Sequence, residues 1–132
     1  MNLVLKIDRY PPSVNRLYSV VRGRKILSQE ARAYKRYIKL LLAEQMIQNF
    51  ETSGKFRFHY VLFGRWINKG WPKTKTKFRR FDISNRLKCL EDAICEGLGI
   101  DDSQVFQIEI EKREDERERI EVRILCVESG TA

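Results

Sequence analysis

Asp82, Asp92 and Asp102 fall at ten-residue steps in the stretch FDISNRLKCLEDAICEGLGIDDSQV, residues 81–105, and Asp101 doubles the last of them. Clustered carboxylates repel one another unless a cation holds them. Oxygen donors with no histidine or thiolate among them select magnesium or manganese rather than zinc. Such an ion keeps waters in its shell, binds a phosphate oxygen and supplies an activated water for attack on a phosphodiester. Lys88 adds a point charge for the scissile phosphate or for the negative charge that develops on it. The plainer alternative is solvated charge. Lys88 and Asp92 stand one helical turn apart, a spacing that makes an ion pair worth about 0.3–0.5 kcal/mol.

A basic segment lies immediately upstream. Arg65, Lys69, Lys73, Lys75, Lys77, Arg79 and Arg80 are interleaved with Trp66, Trp71 and Phe78. Cations track a phosphate backbone and aromatic rings stack on bases. Lys73, Lys75, Lys77, Arg79 and Arg80 are therefore candidate nucleic-acid-binding residues. The alternative is a solvated loop whose apolar side chains fold inward.

These groups need a scaffold. Residues 2–9 alternate as a strand, and the prolines at 11 and 12 break it. Residues 17–27 read as a short hairpin turning at RGRK. Ser28 reads as the N-cap of a helix from about 29 to 48, with Tyr34, Ile38, Leu41 and Leu42 as its apolar stripe. Residues 55–66 alternate Phe56, Phe58, Tyr60 and Leu62 on one face of a strand. Residues 67–80 show no periodicity and read as a loop. A second helix spans 84–97, its core stripe Ile83, Leu87, Leu90, Ile94 and Leu98. Asn85, Lys88 and Asp92 share a neighbouring face, and Gly97 and Gly99 end the helix. Strands follow at 104–112 and 118–127, joined by the turn REDERER. The order predicts one α/β (α+β) domain over residues 1–132, a mixed sheet with two main helices. If the strand at 104–112 runs beside the start of the second helix, Asp82 and Asp102 converge.

Composition narrows the chemistry. The 132 residues include 26 Lys and Arg against 18 Asp and Glu, a net charge of +8. A small basic domain suits a polyanionic partner. Three cysteines, Cys89, Cys95 and Cys126, without a CxxC pair argue against a disulfide framework or a zinc knuckle. Reduced, mostly buried thiols are expected. His59 is the only histidine and reads as a structural strand residue, so paired-histidine zinc sites are not available. The N-terminal stretch reaches Lys6 and Asp8 before any apolar run forms, and no segment is long enough to span a bilayer. A cytosolic protein is expected.

The segment RRFDISNRLKCLEDAICEGLGIDDSQV resembles the core motif of RusA-type Holliday-junction resolvases. The motif positions fall on Asp82, Asn85, Lys88, Asp92, Asp101, Asp102, Ser103 and Gln104, all in register. PPSVNRLY, GRKILSQEARAY and the final strands also fit, so the resemblance covers nearly the whole chain. It implies an α/β homodimer that nicks four-way DNA junctions at two symmetry-related points with magnesium, manganese being the other candidate ion. It places catalysis on Asp82, Lys88 and Asp102. The expected metal ligands are Asp82, Asp102, Ser84 and Asp101, with Asn85 and Asp92 in support.

One position departs from the family pattern. Ser84 stands where a second Asp often follows the first. Serine caps a helix as well as aspartate does, but a neutral hydroxyl ligates magnesium less strongly than a carboxylate. A junction-binding module with a weakened site is the competing reading.

Overall fold

Phe56, Phe58, Tyr60 and Leu62 are at most 1% exposed along the strand at residues 55–64, and the rest of the fold is arranged around them. The computed structural model describes residues 2–12, 18–45, 51–79, 81 and 83–128. Strand β1 (Asn2–Ile7) leads to the hairpin β2 (Tyr18–Val21) and β3 (Arg24–Leu27), then to helix α1 (Gln29–Glu44). Strand β4 (Lys55–Gly64), helix α2 (Ile83–Leu98), a 3₁₀ turn at Asp102–Gln104, β5 (Val105–Glu114) and β6 (Arg119–Glu128) follow.

The four long strands form one sheet in the order β1-β6-β4-β5. β4 pairs with β5 in parallel and with β6 antiparallel, so the sheet is mixed, as the element order predicts. Alternation in β1, β4 and β6 puts Leu5, Ile7, Ile120, Val122 and Ile124 on the same buried face as the β4 row. Against that face pack Ala31, Tyr34, Ile38 and Leu42 of α1 and Leu87, Leu90, Ile94 and Leu98 of α2. Each such side chain contributes roughly 1.5–3 kcal/mol by leaving water. The opposite face is laced with charge. Arg57 donates to Glu109 at 2.7 Å, and His59 pairs with Glu111 at 2.7 Å. The lone histidine is thus a strand residue, as expected.

Local chemistry explains the element ends. Ser28 Oγ accepts from the Ala31 N–H at 3.1 Å and caps α1. The hairpin turns at Arg22 and Gly23, both with positive φ. α1 ends at Glu44 rather than 48, with Gln45 as its C-cap. α2 continues through Gly97 to Leu98, and Gly99 (φ +74) turns the chain. Gly97 is not a stop. A Cβ there would lie 2.4 Å from a Leu42 methyl carbon, so the glycine lets the two helices approach.

Residues 67–80 are more ordered than their lack of periodicity suggests. Ile67 and Phe78 form a β-bridge. The Asn68 side-chain amide donates to the carbonyls of Thr76 and Phe78, at 2.7 and 3.2 Å. The Arg79 N–H donates to the Trp66 carbonyl at 2.7 Å. A single asparagine here supplies the donors that a longer ladder would provide. β5 and β6 are not neighbours, because β4 lies between them, and the acidic-basic turn joining them shortens to residues 115–118.

Candidate active site

α2 carries two polar surfaces, and the acidic one is built with the turn that follows it. Asp101 N-caps the 3₁₀ turn, its Oδ1 accepting from the Ser103 N–H at 2.8 Å. Gln104 completes the capping box through the Asp101 N–H and donates to the carbonyls of Thr52 and Gly54. The Ser103 backbone N–H first, and then the Ser103 and Asp102 side chains, hold the Asp101 carboxyl below its ordinary range. The turn therefore presents Asp102 rigidly, with its side chain exposed.

The carboxylates gather around Cys95. Burial first, and then Glu91, Asp102, Asp92 and Asp101, push that thiol up to about 12. Glu91 is also raised, by burial and then by the charges of Asp92 and Asp102. Glu91, Lys88, Leu87 and Tyr60 line a cleft of about 280 Å³ with Ile108 and Ile110 of β5. The Tyr60 hydroxyl is buried in its wall without a hydrogen-bond partner of good geometry, although Glu91 is near enough to raise its pKa further after burial. Lys88 is exposed and forms no ion pair with Asp92, so the helical pair that their spacing allows is not made. Asp92 instead lies near Lys35 of α1, which pairs with Glu96 at 2.9 Å.

The basic end lies at the opposite end of α2. Phe81 packs on Trp66 and Tyr10, with ring centroids 5.1 and 5.5 Å apart. The Trp66 indole donates to the carbonyls of Leu62 and Arg113, which pins it to the sheet. Arg79, Arg86 and Lys112 lie 5.9, 5.0 and 5.9 Å from the Phe81 ring centroid. Arg79 pairs with Glu118 at 3.1 Å. Lys73, Lys75 and Lys77 are exposed on the ordered arm.

Of the residues singled out from the sequence, Lys88, Asp92, Asp101, Asp102 and the four described cations take the positions just given. Asp82 and Arg80 lie outside the described residues, as do the side chains of Ser84 and Asn85. Convergence of Asp82 with Asp102 required β5 to begin beside the first turn of α2. Instead β5 begins just beyond the last turn and reaches Phe81 only at Lys112. Val105 to Lys112 is seven strand steps, roughly 23 Å at ~3.3 Å each. The acidic turn and the Phe81 end are therefore well separated within one chain.

Glu91, Arg86 and Lys112 are the polar residues that sequence reasoning missed. Glu91 stands three residues after Lys88, a spacing that shares a face, and that was a usable signal. Lys112 needed the sheet order. Among the described residues, no three of His, Cys, Asp and Glu stand close enough to hold an ion by themselves. The donor chemistry nonetheless fits a hard cation, since the acidic surface offers only oxygen and the neighbouring thiol stays protonated.

Among the described residues, no helix is long and apolar enough to cross a membrane. No curated protein matches the chain at a significant level. The family model described as Endodeoxyribonuclease RusA matches residues 9–125, which take in both helices, the basic arm, the acidic turn, β4, β5 and most of β6. The chain belongs to the RusA endodeoxyribonuclease family, nucleases that act on Holliday junctions.

Proposed function

We propose that this protein is a metal-dependent endonuclease that resolves four-way DNA junctions, cutting two symmetry-related phosphodiesters as a homodimer in recombination and repair. The observation that carries this reading is the match of residues 9–125 to the RusA family; the acidic surface of Glu91, Asp92, Asp101 and Asp102 beside Lys88 on and after α2 supports it.

Asp82 and Asp102 would hold a magnesium or manganese ion, one from each protomer of the homodimer because a single chain keeps the two ends of α2 apart, with Ser84 and Asp101 as further oxygen donors. When bound, the ion supplies positive charge at the phosphate and a water of lowered pKa. The chain's own residues do the rest. Lys73, Lys75, Lys77, Arg79 and Arg80 hold the DNA backbone by charge. Lys88 places an ammonium where negative charge grows on the phosphoryl oxygens. Asp101 and Gln104 keep the turn in one conformation, so Asp102 needs no reordering before reaction. Asn85 and Asp92 support the helix face beside these groups.

The test is a nicking assay on a synthetic four-way junction and a matched duplex with magnesium, manganese or chelator. Paired nicks in the junction alone, dependent on metal and lost in Asp102→Asn, are expected. The substitution of Ser84 for a carboxylate favours a second reading, a junction-binding module that does not cut. Metal-independent junction binding without nicks, with cutting gained in Ser84→Asp, would establish that second reading.

A further inference from the structure

β2 and β3 form a two-stranded sheet of their own, apart from the four-stranded one. Leu27 alone among the hairpin's apolar side chains is half-buried against the core. Tyr18, Val20, Val21 and Ile26 are 39%, 75%, 48% and 39% exposed. A lone two-stranded hairpin is marginal in water, and an exposed apolar surface of this kind ordinarily meets a partner. The register pairs Val20 with Lys25 and Val21 with Arg24, so each face of the ribbon carries an apolar side chain beside a cation. Residues 18–27 hold Arg22, Arg24 and Lys25 and no carboxylate. Arg22 and Arg24 have no ion-pair partner among the described residues, and Lys25 lies over the Tyr18 ring at 4.9 Å. Both central residues of the turn have positive φ, 52° at Arg22 and 75° at Gly23. Such a turn favours asparagine or glycine at its first position, so an arginine at the tip runs against the backbone's preference.

The hairpin also springs from the cationic end of the molecule. Leu27 leads directly into Ser28, the cap of α1. The Tyr34 hydroxyl of α1 donates to the Arg9 carbonyl at 2.9 Å, and Arg86 donates to the Pro11 carbonyl at 3.4 Å. The start of α1 is thereby tied to the start of α2, where Arg79, Arg86 and Lys112 surround Phe81.

We propose that the β2–β3 hairpin is a second DNA-binding element, a ribbon that enters the major groove of a duplex arm. A two-stranded ribbon is of the width that the major groove admits. Unpaired cations with no carboxylate among them fit a polyanion, and they continue the charge of the basic arm. Arg22 and Arg24 take phosphates on the groove walls, while Val20, Val21 and Ile26 lie against base edges on the floor. That the arm belongs to a four-way junction rests on the nuclease reading above.

The test measures binding to a four-way junction in chelator, so that no strand is cut, together with dimethyl sulfate methylation of guanine N7, an atom of the major groove. The parent is compared with Arg22→Gln plus Arg24→Gln, with Val20→Ser plus Val21→Ser, and with Lys39→Gln plus Arg123→Gln, which removes the same charge from exposed residues elsewhere. Losing two phosphate contacts should weaken binding at least about fivefold at about 0.1 M salt and reduce the salt slope by roughly 1.8. The valine variant should keep the slope. Guanines that the parent protects should become reactive in both hairpin variants, and the Lys39 and Arg123 variant should bind and protect like the parent. Hairpin variants that match the parent in affinity, slope and protection overturn the proposal and leave the ribbon to a protein partner. An equal loss in the Lys39 and Arg123 variant overturns it by reducing the effect to bulk charge. Weaker binding with unchanged N7 protection overturns the groove assignment. A parent that binds and protects but never cuts with metal removes the nuclease reading and leaves the hairpin supported by its own variants.

Discussion

Lys112 stands with its ammonium 5.9 Å from the Phe81 ring centroid, and this fixes the polarity of the site. It joins the last third of β5 to the start of α2, so the first residues of β5 and the Asp102 turn must lie at the far end of the helix. Cations occupy one end and carboxylates the other, and a nuclease needs both on one phosphodiester.

The helix crossing should be the least tolerant point of the scaffold. A Cβ at Gly97 meets Leu42 at 2.4 Å. Gly97→Ala gains about 1 kcal/mol of helix propensity but incurs overpacking of roughly 1–3 kcal/mol. Urea denaturation should show Gly97→Ala less stable by about 1 kcal/mol and Gly97→Val by more than 2 kcal/mol. Adding Leu42→Ala to Gly97→Val should recover part of that loss. Purely additive losses in the double variant would mean that the two residues do not meet.

Glu91 makes stability depend on pH in a defined direction. Its folded pKa lies above its unfolded value, chiefly through burial and then through Asp92 and Asp102. The folded state therefore holds the proton more tightly, and the stability this gives is present below the unfolded pKa and lost as pH rises through the folded one. Glu91→Gln should melt at or above the parent's temperature at pH 7, and the difference should shrink toward pH 4. A variant that melts lower than the parent at pH 7 by the same margin as at pH 4 would contradict this.

Much of the scaffold was legible in the sequence, because burial there follows a simple period. The β4 row and the α2 stripe repeat at 2 and at 3–4 residues, and the β4 row and the described stripe residues Leu87, Leu90, Ile94 and Leu98 are buried as read. The Ser28 cap was legible because its hydroxyl answers a purely local need. The order of residues 67–80 was not, since it depends on one Asn68 side chain reaching eight to ten residues onward. Gly97 showed only that the residue is small, while its use is set by a second helix. For the site, the oxygen-only donor types were legible from Asp82 to Asp102. The placement of its two ends was not, because it turns on β4 lying between β5 and β6.

Cys89 and Cys95 should be inert at neutral pH. Burial first, and then neighbouring carboxylates, push Cys95 up to about 12. Burial raises Cys89 to about 11. Alkylation by iodoacetamide at pH 8, followed by mass spectrometry, should modify the half-buried Cys126 well before Cys89 or Cys95, and denaturant should equalise all three. Early modification of Cys95 in the native protein would show that the acidic cluster does not surround it.

The central claim is paired cutting of a junction, and a supercoiled plasmid that extrudes a cruciform tests it most directly. Two symmetric cuts within one encounter release linear DNA. A single nick relaxes the supercoil, reabsorbs the cruciform and leaves an open circle. With magnesium, linear plasmid should accumulate as the main product, with no product in chelator or with Asp102→Asn. Open circles alone, or cutting of plasmid that lacks the cruciform, would contradict the account.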